Sequence, residues 1–496
     1  MTDATVATGD RPPDKQSGAA AVPQEAEQGQ LRGRMGTLSV VLTIMAYLAP
    51  LAAAAGYIPL VISAGNGLGA PLIFLLCGVI LTLFSFGFLA MVRHVPRPGA
   101  FYAYISAGLG KRIGLGAGAL SLTFYQYSSL GFYLFGSLEM KSVVQNNLGW
   151  DLPWWVYSAV LLVVVSFCSY RGMDFNVKVL GIVVALEFTI IAAFNLVTLF
   201  RGGAEGYPSE PFTWDAFTSG SIAVGVLFAI AFFVGFESTA IYREEVRNPE
   251  RTIPRSTYVA VGVISVFYFV TAYCLIAALG PGRTLSQTAN DPAGTFTAAF
   301  DSMLGHAFSQ IVSVMVVTSV LAAELAMVNA STRYVYSFGV DGVLPRALGA
   351  VHKRHGSPHR AAITTNAIIA VGILVVIVAG LDAQRVYGIL SGVMTFGFET
   401  LILLLSLAAI VYFRRNRGSG ESKWNVIIAP ALSVISFGWL LFYSAERADL
   451  LTGAPTPLTR LLFVVLGGAF VVGIGYAAWL ARRKPEVFAR IGRATP

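Results

Sequence analysis

Twelve apolar runs follow one another from residue 38 onward, at 38–61, 70–91, 114–138, 154–169, 179–199, 218–241, 257–279, 307–331, 361–380, 386–411, 424–443 and 461–480. Each approaches the roughly 20 residues that a helix needs to cross a bilayer core, and none contains Lys or Arg. Backbone polar groups in hydrocarbon must be satisfied within the segment. The pattern therefore predicts an all-α integral membrane protein with 12 transmembrane helices. Charged residues are only 12% of the chain and mean hydropathy is +0.68, which excludes a water-soluble domain of 496 residues.

The basic residues fix an expected orientation. Of 34 Lys and Arg, 28 fall in the residue 1–36 region, every second loop and the segment after the last run, and six fall on the other side. The positive-inside bias predicts both termini in the cytoplasm and a multi-pass protein of the cell membrane. Because these residues are spread over short loops, the net charge of +8 needs no nucleic-acid partner. Residues 1–36, rich in Pro, Gln, Ala and Gly without apolar periodicity, read as a disordered cytoplasmic tail. Residues 481–496 read as a shorter cytoplasmic tail.

Four acids lie inside the runs: Glu187, Glu237, Glu324 and Glu399. With no basic partner at that depth, each must be protonated, hydrated or paired with a cationic ligand. All four are proton-coupling candidates. Glu187 and Glu399 also fit a place near a span end or between helices.

Two runs are interrupted. The first reads LSVVLTIMAYLAPLAAAAGYIPLVI, where Pro50 removes a donor, Ala52–Ala55 leave room for close approach, and Gly56 and Pro59 weaken the helix beyond them. The sixth is interrupted at Gly235, next to Glu237. It comes five crossings after the first, so the two enter from opposite sides. Paired interruptions of that kind point to a transporter site near the bilayer midplane.

Three segments carry a family resemblance: GFESTAIYREEVRNPERTIPRS at 235–256, VPRPGAFYAYISAGLGKRIG at 95–114 and STRYVYSFGVDGVLPRALGAVHKRHGSPHRA at 331–361. In order and placement they resemble the amino acid-polyamine-organocation permeases. The resemblance implies a ten-helix transporter core at 37–411. It consists of two inverted five-helix repeats at 38–199 and 218–411, with broken helices 1 and 6 and two extra C-terminal helices at 424–480. It implies alternating-access secondary transport of amino acids or related amines. The buried acids make a proton the expected coupling ion for uptake, while span 5 lacks the lysine that some proton-coupled relatives carry there, which leaves the ion open.

Carried over by position, the substrate-binding residues are Ala49, Pro50, Leu51 and Ala52 in span 1, and Phe232, Phe233, Gly235 and Glu237 in span 6. Glu324 and Met327 in span 8 and Tyr125 and Ser129 in span 3 complete the set. Glu244, Glu245 and Arg247 are candidates for a cytoplasmic gate. Where many relatives carry a glycine-serine-glycine motif, this chain has LAPLAAAAG. That departure weakens the case for a substrate carboxylate held by backbone amides and leans toward an amine, as in putrescine-importing relatives with a similar stretch.

Other signals point nowhere further. Gly65-Asn66-Gly67-Leu68-Gly69 and Gly108-Leu109-Gly110-Lys111 follow no strand and complete no phosphate-binding pattern, which argues against an ATP-driven pump. His352, His355 and His359 lack Cys or acidic partners, so no metal and no cofactor is expected. Cys77, Cys168 and Cys274 sit singly in apolar runs and read as small buried hydrophobes. No nucleophile or acid-base cluster suggests an enzyme. A substrate sensor built on a transporter scaffold shares every motif and stays open as the alternative.

Overall fold

The computed structural model describes Thr2 and residues 36–95, 100–171, 177–236, 246–352, 356–446 and 457–492. All regular structure among these residues is helical. The helices are α1 (Thr37–Leu48), α2 (Pro50–Leu60), α3 (Ala70–His94), α4 (Ala100–Leu109), α5 (Lys111–Leu148), α6 (Trp154–Arg171), α7 (Val177–Arg201), α8 (Trp214–Thr218) and α9 (Ile222–Ile230). They continue as α10 (Pro249–Leu279), α11 (Pro281–Asn290), α12 (Pro292–Leu304), α13 (His306–Asp341), α14 (His359–Val378), α15 (Ala383–Arg415), α16 (Ala429–Glu446), α17 (Pro457–Arg483) and α18 (Pro485–Arg490).

The starts and stops follow local chemistry. Proline opens α2, α10, α11 and α12, where its missing N–H is one of the amides that a helix leaves unpaired in any case. Asp291 caps α12 by accepting from Gly294 N at 3.0 Å, and Asp382 caps α15 by accepting from Arg385 N at 2.8 Å. Gly149 and Gly342 close α5 and α13 in the left-handed conformation.

Nine helical segments among the described residues are long and apolar enough to cross a membrane. Three expected runs fall outside that set for physical reasons. The first is cut into α1 and a second piece, and the sixth is cut at residues 231–236. The third belongs to α5, whose 38 residues carry many Ser, Gly, Tyr and Gln.

Burial is organised for lipid as well as for packing. On α6, Val163 is 68% exposed while Val165 is fully buried, and exposed Val, Ile, Leu and Phe also line α7, α14 and α17. Such outward apolar faces suit hydrocarbon and would be an aggregation hazard in water. At the centre, α5 packs against α4, α13, α15 and α17, while α10 packs against α1 and α3. The junction of α1 and α2 lies against α7, α10 and α13.

Candidate functional site

The site begins with a backbone constraint. A residue preceding proline is sterically disfavoured in the right-handed helical region, and Pro50 has no amide to continue the ladder. Ala49 accordingly leaves the helix and adopts φ 44°, ψ 73°, the left-handed region that a residue with a Cβ seldom occupies. α1 therefore ends and α2 starts in the middle of the first run, fully inside the protein: Ala49, Leu51 and Ala52 are at most 1% exposed.

A helix start leaves its first amides without intrahelical partners. Here two other helices supply them. Leu51 N donates to Glu187 Oε2 of α7 at 3.2 Å, and Ala52 N to Ser319 Oγ of α13 at 3.3 Å. Ser319 Oγ itself donates to the same Glu187 oxygen at 2.8 Å. On the other side of the junction, Tyr268 Oη of α10 donates to Pro50 O at 3.0 Å. All three side chains are buried to within 1%. Glu187 was read from the sequence as a proton-coupling candidate, whereas Ser319 and Tyr268 were not singled out. Their signal was a polar atom at membrane depth, which many other Ser and Tyr residues of the runs share.

The sixth run is unwound in the structure as well. Ser221 caps α9 by accepting from Val224 N at 3.4 Å, and the helix tightens to a 3-10 turn over Ala231–Phe233. Val234 is then extended, and Gly235 takes φ 103°, a conformation that only glycine adopts without strain. The two interrupted runs touch, and the segment that follows the first is bonded to the start of the sixth. Ser221 N donates to Gly65 O at 3.0 Å, and Asn66 Nδ2 donates to Phe217 O at 3.2 Å. A Cβ placed on Gly65 would lie 2.8 Å from the Gly225 Cα, so this approach depends on glycine.

Phe232 is fully buried and locks the two breaks together. Its ring centroid lies 4.3 Å from that of Tyr268, 5.0 Å from Phe74 and 6.0 Å from Tyr57. Phe233 is equally buried. Tyr125 lies between Phe124 and Tyr334, with centroids at 4.8 and 5.6 Å. Ser129 is buried on the same helix, and Met327 is 3% exposed on α13.

Glu324 and Glu399 differ from Glu187. Both are buried; the Ser129 hydroxyl lies against the Glu324 carboxylate, while the Glu399 carboxylate has no hydrogen-bond partner among the described residues. The structure thus ties Glu187 to the break and leaves Glu324 and Glu399 as buried acceptors. Arg247 is exposed, while Glu237, Glu244 and Glu245 lie outside the described residues. Among the described residues no group of three or more His, Cys, Asp or Glu side chains could hold a metal ion.

Two helices unwound at depth and in contact with each other, one of them tied at its break to the buried Glu187, fit a membrane transport protein. Similarity to known proteins supplies the family. The sequence model of the amino acid permease family matches residues 40–452, and the chain belongs to that family. It is similar to the methylthioribose transporter of Bacillus subtilis, with 24% identity over 77% of this chain and 81% of the relative. It is also similar to a branched-chain amino acid permease of Lactococcus lactis, with 23% identity over 76% and 81%. A low-affinity putrescine importer of Escherichia coli K12 is 22% identical over 77% and 81%. The chain is therefore a membrane transport protein of the amino acid permease family, with a small-molecule substrate.

Proposed function

We propose that this protein is a proton-coupled importer of amino acids or related amines that works by alternating access in the cell membrane. In this reading the chain crosses the bilayer twelve times with both termini cytoplasmic. The core at 37–411 is two inverted five-helix repeats, joined by two further helices at 424–480. The break at Ala49–Ala52, the residues Phe232, Phe233, Gly235 and Glu237, and Tyr125, Ser129, Glu324 and Met327 surround the substrate. Glu244, Glu245 and Arg247 form the cytoplasmic gate.

The observation that carries the reading is the junction of Glu187 with Leu51 N and Ser319 Oγ. A carboxylate tied to a place where a spanning helix is interrupted changes its hydrogen bonding whenever that break moves. Proton binding there is then linked to the conformational step, because a ligand shifts an equilibrium by its difference in affinity for the two states. Glu237, Glu324 and Glu399 remain further candidates for the proton or for a substrate ammonium.

The same junction favours an organic amine within this reading. Leu51 N and Ala52 N, amides of the kind that would hold a substrate carboxylate at a broken helix, already have protein acceptors. The buried Glu324, with no basic side chain beside it among the described residues and only the Ser129 hydroxyl against its carboxylate, suits an ammonium group. Among the three relatives named above, the putrescine importer is the one named for a diamine.

The test is a thermal-shift screen of purified protein against amino acids, monoamines and polyamines, and then uptake of the hits into proteoliposomes with and without a pH gradient. Coupled import predicts accumulation that collapses when the gradient is dissipated. Binding without counterflow of labelled substrate would instead identify a sensor on a transporter scaffold.

A further inference from the structure

The segment after the last long helix does not hang free. After Lys484, α18 runs along the face that carries the basic loops, and Ile491 and Gly492 end buried against it, with Ile491 1% exposed. Gly492 N donates both to Tyr102 Oη of α4, at 2.9 Å, and to Asp341 Oδ2 at the end of α13, at 3.2 Å. Tyr102 Oη completes the triangle by donating to Asp341 Oδ2 at 2.8 Å. Lys111, the first residue of α5, donates to Ala489 O at 2.5 Å and lies 5.6 Å from the Phe488 ring centre. One short segment thus joins the ends of three helices.

The placement of Asp341 makes this contact specific. A carboxylate in the last turn of a helix faces the negative end of the helix dipole, and Asp341 is also only 1% exposed. Such a group is stable only with donors, and Gly492 N and Tyr102 Oη are two of them. Gly492 has φ 73°, so the backbone geometry that aims this amide favours glycine.

From Tyr102 a column of rings leads inward. Tyr102 meets Phe338 edge-on at 5.2 Å, Phe338 lies 6.5 Å from Tyr334, and Tyr334 lies 5.6 Å from Tyr125. Tyr125 is one of the candidate substrate residues. Packed rings shift between discrete arrangements and do not deform continuously, so a change at Tyr102 is felt along the column.

We propose that Pro485–Gly492 is a latch that holds the basic-loop face closed by clamping α4, α5 and α13, and that its release opens this face toward Tyr125. The latch stands on the geometry alone, and its bearing on transport rests on the function proposed above. The test therefore reads structure and not uptake.

Two reporters are placed singly in otherwise full-length protein in detergent, where Cys77, Cys168 and Cys274 are buried. Ser106→Cys lies under Gly492, its Oγ 3.0 Å from where a Cβ on that residue would sit. Ser331→Cys is fully buried on α13, the helix that carries Tyr334 and Phe338, and lies about one turn further in than Tyr334. Maleimide labelling is compared in the background of the intact segment, of Ile491→Asp, of Gly492→Pro and of a chain ending at Lys484.

Release should speed labelling at both positions by at least about fivefold, the low end of ordinary coupling between sites. Faster labelling at Ser106→Cys alone would show a docked segment that gates nothing and would overturn the proposal. Unchanged labelling at both, with Ile491→Asp and the shortened chain equally well folded by thermal melting, would show that the segment is not docked and would overturn it too.

Discussion

Glu187 accepts the amide hydrogen of Leu51 at 3.2 Å across 136 residues of sequence, and this single contact joins a helix break to a titratable group. The second bond from Ser319 means that one carboxylate oxygen serves two donors on two different helices. Charge and architecture are therefore coupled at one atom.

Replacing this group separates its two duties. Glu187→Gln retains an acceptor oxygen for Leu51 N and Ser319 Oγ but cannot exchange a proton, so melting temperature should stay close to the parent while pH-driven accumulation is lost. Glu187→Ala strands buried donors, each costing about 1–3 kcal/mol, and should lower the melting temperature as well. Full gradient-dependent accumulation by Glu187→Gln would remove Glu187 from the coupling step.

Ala49 is a backbone test of the break. Its positive φ disfavours side chains, above all β-branched ones. Ala49→Gly should be tolerated, with uptake and stability near those of the parent. Ala49→Val should depress both, by about 1–3 kcal/mol in stability. Equal melting temperatures for the two variants would show that the left-handed residue is dispensable.

Gly65 should accept no side chain. Its added Cβ would meet the backbone of Gly225 at 2.8 Å, and backbone cannot step aside as a flexible side chain can. Gly65→Ala is expected to cost about 1–3 kcal/mol by overpacking and to reduce transport, because it wedges the segment after the first run away from the sixth run. Thermal melting beside an uptake assay decides the matter, and a variant as stable and active as the parent would refute it.

Glu324 offers the opposite case to Glu187. Its carboxylate meets the Ser129 hydroxyl, which a Gln side chain can also bond, so replacement by Gln keeps that contact and removes a buried ionisable group. Glu324→Gln should be at least as stable as the parent while taking up a cationic amine more slowly. Unimpaired uptake of every amine found in the binding screen would exclude it as the ammonium partner.

Much of the fold was legible because the bilayer imposes a length and a polarity on each crossing segment. Pro50 and Gly235 were legible for a related reason, since each acts on its own backbone through sterics that need no partner. The roles of Ser319 and Tyr268 were not. Nothing local distinguishes Ser319 from the other Ser residues of α13, and only the arrival of α2 and α7 makes it a bridge. The docking of the terminal segment is hidden in the same way: residues 481–496 read as a cytoplasmic tail, and the bond from Gly492 to Asp341 spans 151 residues.

Local sequence sets where the helices run, where the first and sixth runs are interrupted, and that four acids lie within the apolar runs. Those outcomes obey steric and solvation rules that act within a few residues. Tertiary packing selects which acid meets the break, which helices cap the freed amides, and what the last residues hold. Each of these depends on satisfying a buried donor with an acceptor far away in the chain, and that choice is made only when the helices pack.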